Sequence, residues 1–256
     1  LQQALAMKPT VDVLWLNSSP SLRCLHRPLL RELSYRTQIA QWDYHQSLDE
    51  PASLDLPLTL LHDYLKGLAH PVHLAGHGLS GVLGLLYARK YPNRVKSLTL
   101  LSVGPHPAIS WQTHYYMNRR LLCCDRTLVL SIMVSHLFGE SVRPLARELA
   151  CRLQADLDES PSPHSLLWDG DIPPGECPVP LLVCGSQDDT VISSDLFTHW
   201  QHWMNPYRGD QIWQCLEGRH FFHYFQAKAV SRAMLKFWQQ ITPSLAQMAD
   251  ESVGVV

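Results

Sequence analysis

The sequence predicts one α/β domain, built on a mainly parallel sheet of about six strands with helices on both faces. Short apolar runs alternate with segments that carry leucines at helical spacing, a pattern typical of strands joined by helical crossovers. The chain has 256 residues, of which 46% are hydrophobic and 17% are charged. This length suffices for a full hydrophobic core, and the composition is that of a globular protein.

Apolar runs predict the strands, and the intervals between most of them predict helices. The candidate strands are residues 11–16, 38–42, 72–75, 97–102, 179–184 and 211–216. Leucine spacing favours helices over residues 22–33 and 57–68, and small and apolar residues favour another over 81–90. An apolar stripe containing Val230 and Phe237 predicts a last helix, which Pro243 is expected to end.

The interval between the fourth and fifth predicted strands is too long for an ordinary loop. Residues from about 106 to 175 have helical patterning of their own. We therefore predict a helical cap over the sheet, within a single domain of residues 1–256. Apolar side chains of this cap are expected to form a pocket against the sheet, lined by Trp111, Tyr115, Tyr116, Leu130 and Met133.

Charge and cysteine content exclude several classes of function. The net charge of −2 and the absence of a dense Lys and Arg run argue against a nucleic-acid partner. No apolar stretch reaches transmembrane length. The seven cysteines contain no C-x-x-C pair, which favours free thiols in a reducing compartment, the cytoplasm, over a zinc site. The chain begins with Leu, so a removed targeting segment remains an open alternative.

Three segments carry candidate chemistry. Residues 72–81 read Val-His-Leu-Ala-Gly-His-Gly-Leu-Ser-Gly, a strand that ends in a tight glycine-rich turn and enters a helix. By itself such a turn could equally bind a phosphate at the helix N-terminus. Residues 185–189, Gly-Ser-Gln-Asp-Asp, follow the fifth strand, and residues 217–223 present His220 after the last strand. His223 completes an H-x-x-H spacing, but without a third ligand we expect neither a metal nor another cofactor.

Taken in this order, the three segments resemble the α/β-hydrolase superfamily, in which a G-x-S-x-G turn presents a nucleophilic serine and an acid and a histidine follow. The resemblance covers residues 11–238. It implies the α/β-hydrolase fold, with Asp188 as the acid, Asp189 as the alternative and His220 as the base. The nucleophile position falls on Gly78. Purely structural roles are the alternatives: Asp188 could cap a turn, and His220 could be a buried core histidine.

Without a side chain, Gly78 cannot form the acyl-enzyme intermediate of the serine mechanism. Ser80 lies two residues further along the predicted helix, more than half a turn away, so its hydroxyl is not expected to reach His220. The resemblance also implies an oxyanion hole, for which the backbone N–H of Leu79 is retained. Where the family usually has His-Gly after its first central strand, this chain has Asn-Ser-Ser-Pro, and Ser18 is the candidate second donor.

Asn17 and His77 are expected to border the same pocket. Three functional hypotheses follow. The lost nucleophile and the intact cap favour a non-catalytic or impaired protein that binds a small apolar molecule or a partner protein. The alternative is a hydrolase or lyase that uses His220 and Asp188 without a covalent intermediate. The third is that Gly78 is a substitution in a working serine hydrolase.

Overall fold

Six parallel strands form one sheet in the order β2-β1-β3-β4-β5-β6. The computed structural model describes residues 11–47, 49–50, 53–161 and 172–251, with side chains up to Ile241. The strands are β1 Val13–Asn17, β2 Ile39–Asp43, β3 Val72–His77, β4 Val95–Leu101, β5 Leu181–Ser186 and β6 Gln211–Cys215. The predicted fold class and strand number are confirmed.

Helices connect the strands. They are α1 Arg27–Ser34, α2 Asp55–Lys66, α3 Leu79–Lys90, α4 Trp111–Leu122, α5 Arg126–Phe138, α6 Ala146–Glu159, α7 Ser194–Thr198, α8 Phe222–Phe225 and α9 Ala227–Glu251. The prediction that Pro243 ends the last helix is wrong, because a helix can continue through proline at the loss of one backbone hydrogen bond. None of the helices in the described ranges is long and apolar enough to span a membrane.

The two faces of the sheet are covered by different helices. On one face α3 contacts β1, β3 and β4, and nine of its twelve residues are buried. On the other face α1 and α9 pack together, and Trp15, Phe222 and Phe237 lie in that second core cluster. The near-continuous apolar runs of β1, β3 and β5 follow from this arrangement, because each central strand is buried on both sides.

Helices α4, α5 and α6 form the insertion between β4 and β5, and we refer to these three helices as the insertion. Side chains mark where two of them begin: the Ser110 hydroxyl accepts from the Thr113 N–H, and the Asp125 carboxylate accepts from the Leu128 N–H. Helix α6 packs on the 3₁₀ helix Pro20–Leu25, which follows β1. The insertion therefore lies against the carboxyl end of the sheet, the edge at which open parallel sheets bind ligands.

Candidate active site

The turn between β3 and α3 has the sharp geometry of a nucleophile elbow. Gly78 has φ 50° and ψ −124°, a combination that strains any residue with a Cβ. The flanking glycines are required by close packing, because a Cβ on Gly76 would lie 2.7 Å from the Gly81 backbone nitrogen. A Cβ on Gly78, in contrast, would meet no atom of the described residues within 4 Å. The place where a serine side chain would stand is open.

His220 is held by a buried carboxylate. Its Nδ1 lies 3.0 Å from Oδ2 of Asp189, and both side chains are 1% exposed. Because an ionised carboxylate only accepts hydrogen bonds, Nδ1 is the donor of this pair, and in the corresponding tautomer Nε2 is the acceptor nitrogen. Nε2 is buried and has no hydrogen-bond partner among the described residues. The His220 carbonyl is fixed as well, since it accepts from Ser102 Oγ at 2.7 Å and from His77 Nε2 at 3.0 Å.

The prediction that Asp188 is the partner of His220 is wrong. Oδ1 of Asp188 accepts from the Ser186 hydroxyl at 2.6 Å and from the Arg219 N–H at 2.8 Å. Asp189 is directed inwards because its Oδ1 accepts the backbone N–H groups of Val191, at 2.8 Å, and of Ile192, at 3.2 Å. Asp188 instead restrains Arg219, whose φ is 55°, and so positions the segment that presents His220.

A small cavity of about 20 Å³ lies between the elbow and the insertion. This space is enough for about one water molecule. The residues that line it include Gly78, Leu79, Val82, Ser102, Val103, Ile109, Trp111, Gln112, Ile172 and His220. The Leu79 N–H is the first of α3, so it has no acceptor within that helix and remains a candidate oxyanion donor.

Most of the predicted pocket residues do not line this cavity; of the five in the insertion, only Trp111 does. Tyr115, Leu130 and Met133 are buried because α4 and α5 pack on each other and so direct these side chains into the hydrophobic core. Tyr116 is 38% exposed. His77 lies behind the cavity, where it donates to the His220 carbonyl.

The loop after β1 is also arranged differently from the prediction. Asn17 donates from Nδ2 to Asp43 Oδ1 at 2.6 Å and does not line the cavity. The Ser18 N–H donates to Ser80 Oγ at 2.9 Å, so it is not available as an oxyanion donor. The Ser80 hydroxyl is thereby directed at Ser18 and not at His220, as its position in the helix predicts.

Replacing Ser80 with alanine is therefore expected to lower the free energy of unfolding by about 1–3 kcal/mol, because the buried Ser18 N–H loses its acceptor. Urea unfolding measures this effect. Ser34→Ala, at an exposed site on α1, is the matched control and should change stability by less than about 0.5 kcal/mol. Equal, small losses in both variants would contradict the assigned role of Ser80.

Sequence reasoning missed several polar residues around the site. Ser102 follows β4 directly, and its place at the carboxyl end of a parallel strand was a usable signal. His26 gives no local signal, yet its Nδ1 lies 3.0 Å from Nε2 of His223. Burial lowers the pKa of His26 to about 4 and that of His77 and His223 well below the usual value. Within the described ranges no group of three or more ligating side chains could hold a metal ion.

A buried carboxyl group lies where the insertion meets the rest of the chain. Asp156 of α6 is fully buried and accepts from Nε2 of Gln112, a cavity residue, at 2.8 Å. Burial raises the pKa of Asp156 to about 7, although hydrogen bonding from Ser19 and Gln112 opposes the shift. This carboxyl group therefore changes its charge near neutral pH.

Comparison with known proteins identifies both the fold and the relatives. Among solved structures, a thermophilic esterase from Thermogutta terrifontis superposes with a TM-score of 0.69 at 16% identity, covering 91% of this chain and 90% of that one. The hydrolase olei00960 from Oleispira antarctica gives 0.70 at 16% identity, covering 91% and 92%. The enol-lactonase from Burkholderia xenovorans LB400 gives 0.66 at 15% identity, covering 90% and 92%. This is the α/β-hydrolase fold.

No protein-family model matches the chain. Two cyanobacterial proteins are similar to it over nearly their whole length. The uncharacterized protein sll0249 of Synechocystis sp. is 43% identical, with 92% of this chain and 93% of the relative covered. The uncharacterized protein alr2406 of Nostoc sp. is 40% identical, with 91% and 92% covered. The chain therefore belongs to the protein family of these two cyanobacterial relatives, and in this member the fold is that of the α/β-hydrolases.

Proposed function

We propose that the chain binds a small, largely apolar molecule between sheet and insertion, and that His220 acts on it as a general base without a covalent intermediate. The reaction would be of the hydrolase or lyase class. The observation that carries this proposal is the state of His220: Nδ1 is bound to Asp189, and the buried Nε2 has no partner among the described residues. A histidine held in this tautomer by a carboxylate has the arrangement of a general base.

The proposed chemistry uses the space above Gly78. A water molecule or an acidic C–H or O–H of the ligand in that space would lie where His220 Nε2 can take its proton. Asp189 would stabilise the resulting imidazolium through its bond to Nδ1. Negative charge developing on the ligand would be met by the Leu79 N–H at the N-terminus of α3.

The second candidate is binding alone, to a small molecule or a partner protein. Within this candidate the size of the cavity favours a partner protein, because about 20 Å³ admits a water molecule but no larger ligand unless the insertion moves. The His220–Asp189 pair would then be a structural remnant of the fold. We further propose a reducing location such as the cytoplasm, supported by seven free cysteines, of which Cys177 and Cys184 are buried.

Hydrolysis of short activated esters separates the two candidates. We expect a rate above buffer that falls by at least about 10²-fold in His220→Ala, the usual contribution of a general base. His202→Ala, at an exposed histidine, is the control and should leave the rate unchanged. A rate that persists in His220→Ala would remove this residue from catalysis. No hydrolysis in any form, together with calorimetric binding of the ester's acid product, would favour binding alone.

A further inference from the structure

Basic side chains concentrate on the face of the molecule where α1 and α9 meet, away from the candidate active site. Two adjoining concavities of about 600 and 720 Å³ share Arg232, and we call them together the basic groove. Seven basic residues line it: Arg27, Arg31, Arg36, Lys96, Lys228, Arg232 and Lys236. This is one third of the 21 Lys and Arg of a chain with net charge −2. Of the described acidic residues, two line the same groove, Glu32 and Asp12.

Ion pairs do not neutralise these charges within the part of the molecule that the structure describes. Among the described residues, none of the seven lies within 4.0 Å of a carboxylate oxygen, whereas Arg126 and Arg152 of the insertion region do form ion pairs. The charge of Lys96 also acts on His73, which lines the same groove. Burial is the main cause that lowers the pKa of His73 to about 3, and the positive charge of Lys96 lowers it further. The groove therefore presents a positive electrostatic potential, which attracts anions from the solvent or an acidic ligand.

The spacing of the charges indicates what they fit. Arg27 and Arg31 lie one turn apart on α1, and Lys228, Arg232 and Lys236 lie one turn apart on α9. Like charges at this spacing repel each other and destabilise a helix. The stripe on α9 is about 12 Å long, which is too extended for one phosphate or carboxylate. A helix with acidic residues at every fourth position repeats its carboxylates at the same interval.

We propose that the basic groove binds an acidic helical segment of a partner protein. The concave shape favours a segment lying between α1 and α9 over a flat lipid surface. Apolar side chains of the groove that reach the surface, including Phe225 and Leu235, would contact the body of that segment. Phe225 and Gln226 also line the groove, so the partner would touch α8, which begins two residues after His220. The proposal does not depend on the activity proposed above.

Fluorescence anisotropy of a labelled peptide tests the proposal with the full chain. The probe is an alanine-based peptide of about 16 residues with Glu at every fourth position, and the comparison peptide has the same composition with its Glu residues contiguous. The groove variant is Arg27→Gln/Arg31→Gln/Lys228→Gln/Arg232→Gln. The matched control, at four exposed basic residues elsewhere, is Lys90→Gln/Arg119→Gln/Arg120→Gln/Arg147→Gln.

We expect the groove variant to bind the probe at least about tenfold more weakly than wild type, while the control variant stays within about twofold. The comparison peptide should bind wild type more weakly than the probe. Circular dichroism and thermal unfolding confirm that both variants fold, and Arg232→Gln alone provides a milder second variant. Equal weakening in the groove and control variants would overturn the proposal. Tighter binding of decathymidylate or of phosphatidylglycerol vesicles at the groove would also overturn it, in favour of a different partner class.

Discussion

Replacing Gly78 with serine is expected to give a protein that a fluorophosphonate probe labels covalently at position 78, whereas the wild-type chain stays unlabelled. The new hydroxyl enters open space in the part of the chain that the structure describes, since a Cβ at this position meets no atom there within 4 Å. His220 supplies an Nε2 that has no partner in the described ranges, and Asp189 fixes the orientation of the ring. We expect labelling at least about 10²-fold faster than any background on Ser80, whose hydroxyl is bonded to Ser18. Intact-mass and peptide mass spectrometry measure the adduct.

The same substitution is expected to lower the free energy of unfolding by about 1–3 kcal/mol, because φ 50° and ψ −124° strain a residue with a Cβ. Gly78→Ala is the matched control: it should be destabilised equally and remain unlabelled. A folded but unlabelled Gly78→Ser would mean that the rest of the site no longer supports nucleophilic chemistry. A Gly78→Ser protein more stable than wild type would contradict the assignment of position 78 to a strained elbow.

Acid is expected to destabilise the protein by several kcal/mol between about pH 7 and pH 5. His26, His73, His77 and His223 have folded-state pKa values below the usual 6.5, about 4 for His26 and about 3 for His73. As the pH falls through 6.5, these histidines become protonated in the unfolded chain but stay neutral in the folded chain. The free energy of unfolding therefore decreases. At pH 5 this loss is about 2 kcal/mol for His26 alone.

Protonation of Asp156 changes the free energy of unfolding in the opposite direction. Its pKa is about 7 in the folded chain and near 3.8 when unfolded, so acidification from pH 7 to pH 5 stabilises the folded state by about 2 kcal/mol. The histidines with lowered pKa values, to which His114 also belongs, outweigh one carboxyl group with a raised pKa, and the net effect is a loss of stability. Urea unfolding at pH 7, 6 and 5 measures it. The loss should become smaller in His26→Phe and larger in Asp156→Asn, and a stability that does not vary with pH would contradict this account.

Local sequence patterns were sufficient for the fold because each element carries its own signal. The apolar runs of the central strands and the glycines of the β3–α3 turn are read without knowledge of the remaining chain. The choice between Asp188 and Asp189 is different. Both residues lie in the turn after β5. Asp188 accepts from the Arg219 N–H, whereas Asp189 accepts from the backbone N–H groups of residues 191 and 192. These contacts direct Asp189 towards His220.

Residues that depend on the packing of the insertion were the hardest to predict. Trp111 and Tyr115 lie one turn apart on α4, yet only Trp111 lines the cavity, because the next turn packs within the core. The local sequence favours the Ser18 N–H as an oxyanion donor. Its acceptor, the Ser80 hydroxyl, lies 62 positions further along the chain and gives no local signal. The pairing of His26 with His223 spans 197 positions and has no counterpart in local sequence.

We propose that His220, held by Asp189, remains a working base beside a missing nucleophile. The rate of fluorophosphonate labelling tests this role of His220 in two double variants, Gly78→Ser/Asp189→Asn and Gly78→Ser/Asp188→Asn. Asp189→Asn should slow labelling by about 10²–10⁴-fold, because the histidine loses the carboxylate that fixes its tautomer and stabilises its charge. Asp188→Asn should slow it by less than about tenfold, since an amide oxygen can still accept from Ser186 and Arg219. An equal or larger loss in Asp188→Asn would contradict the claim.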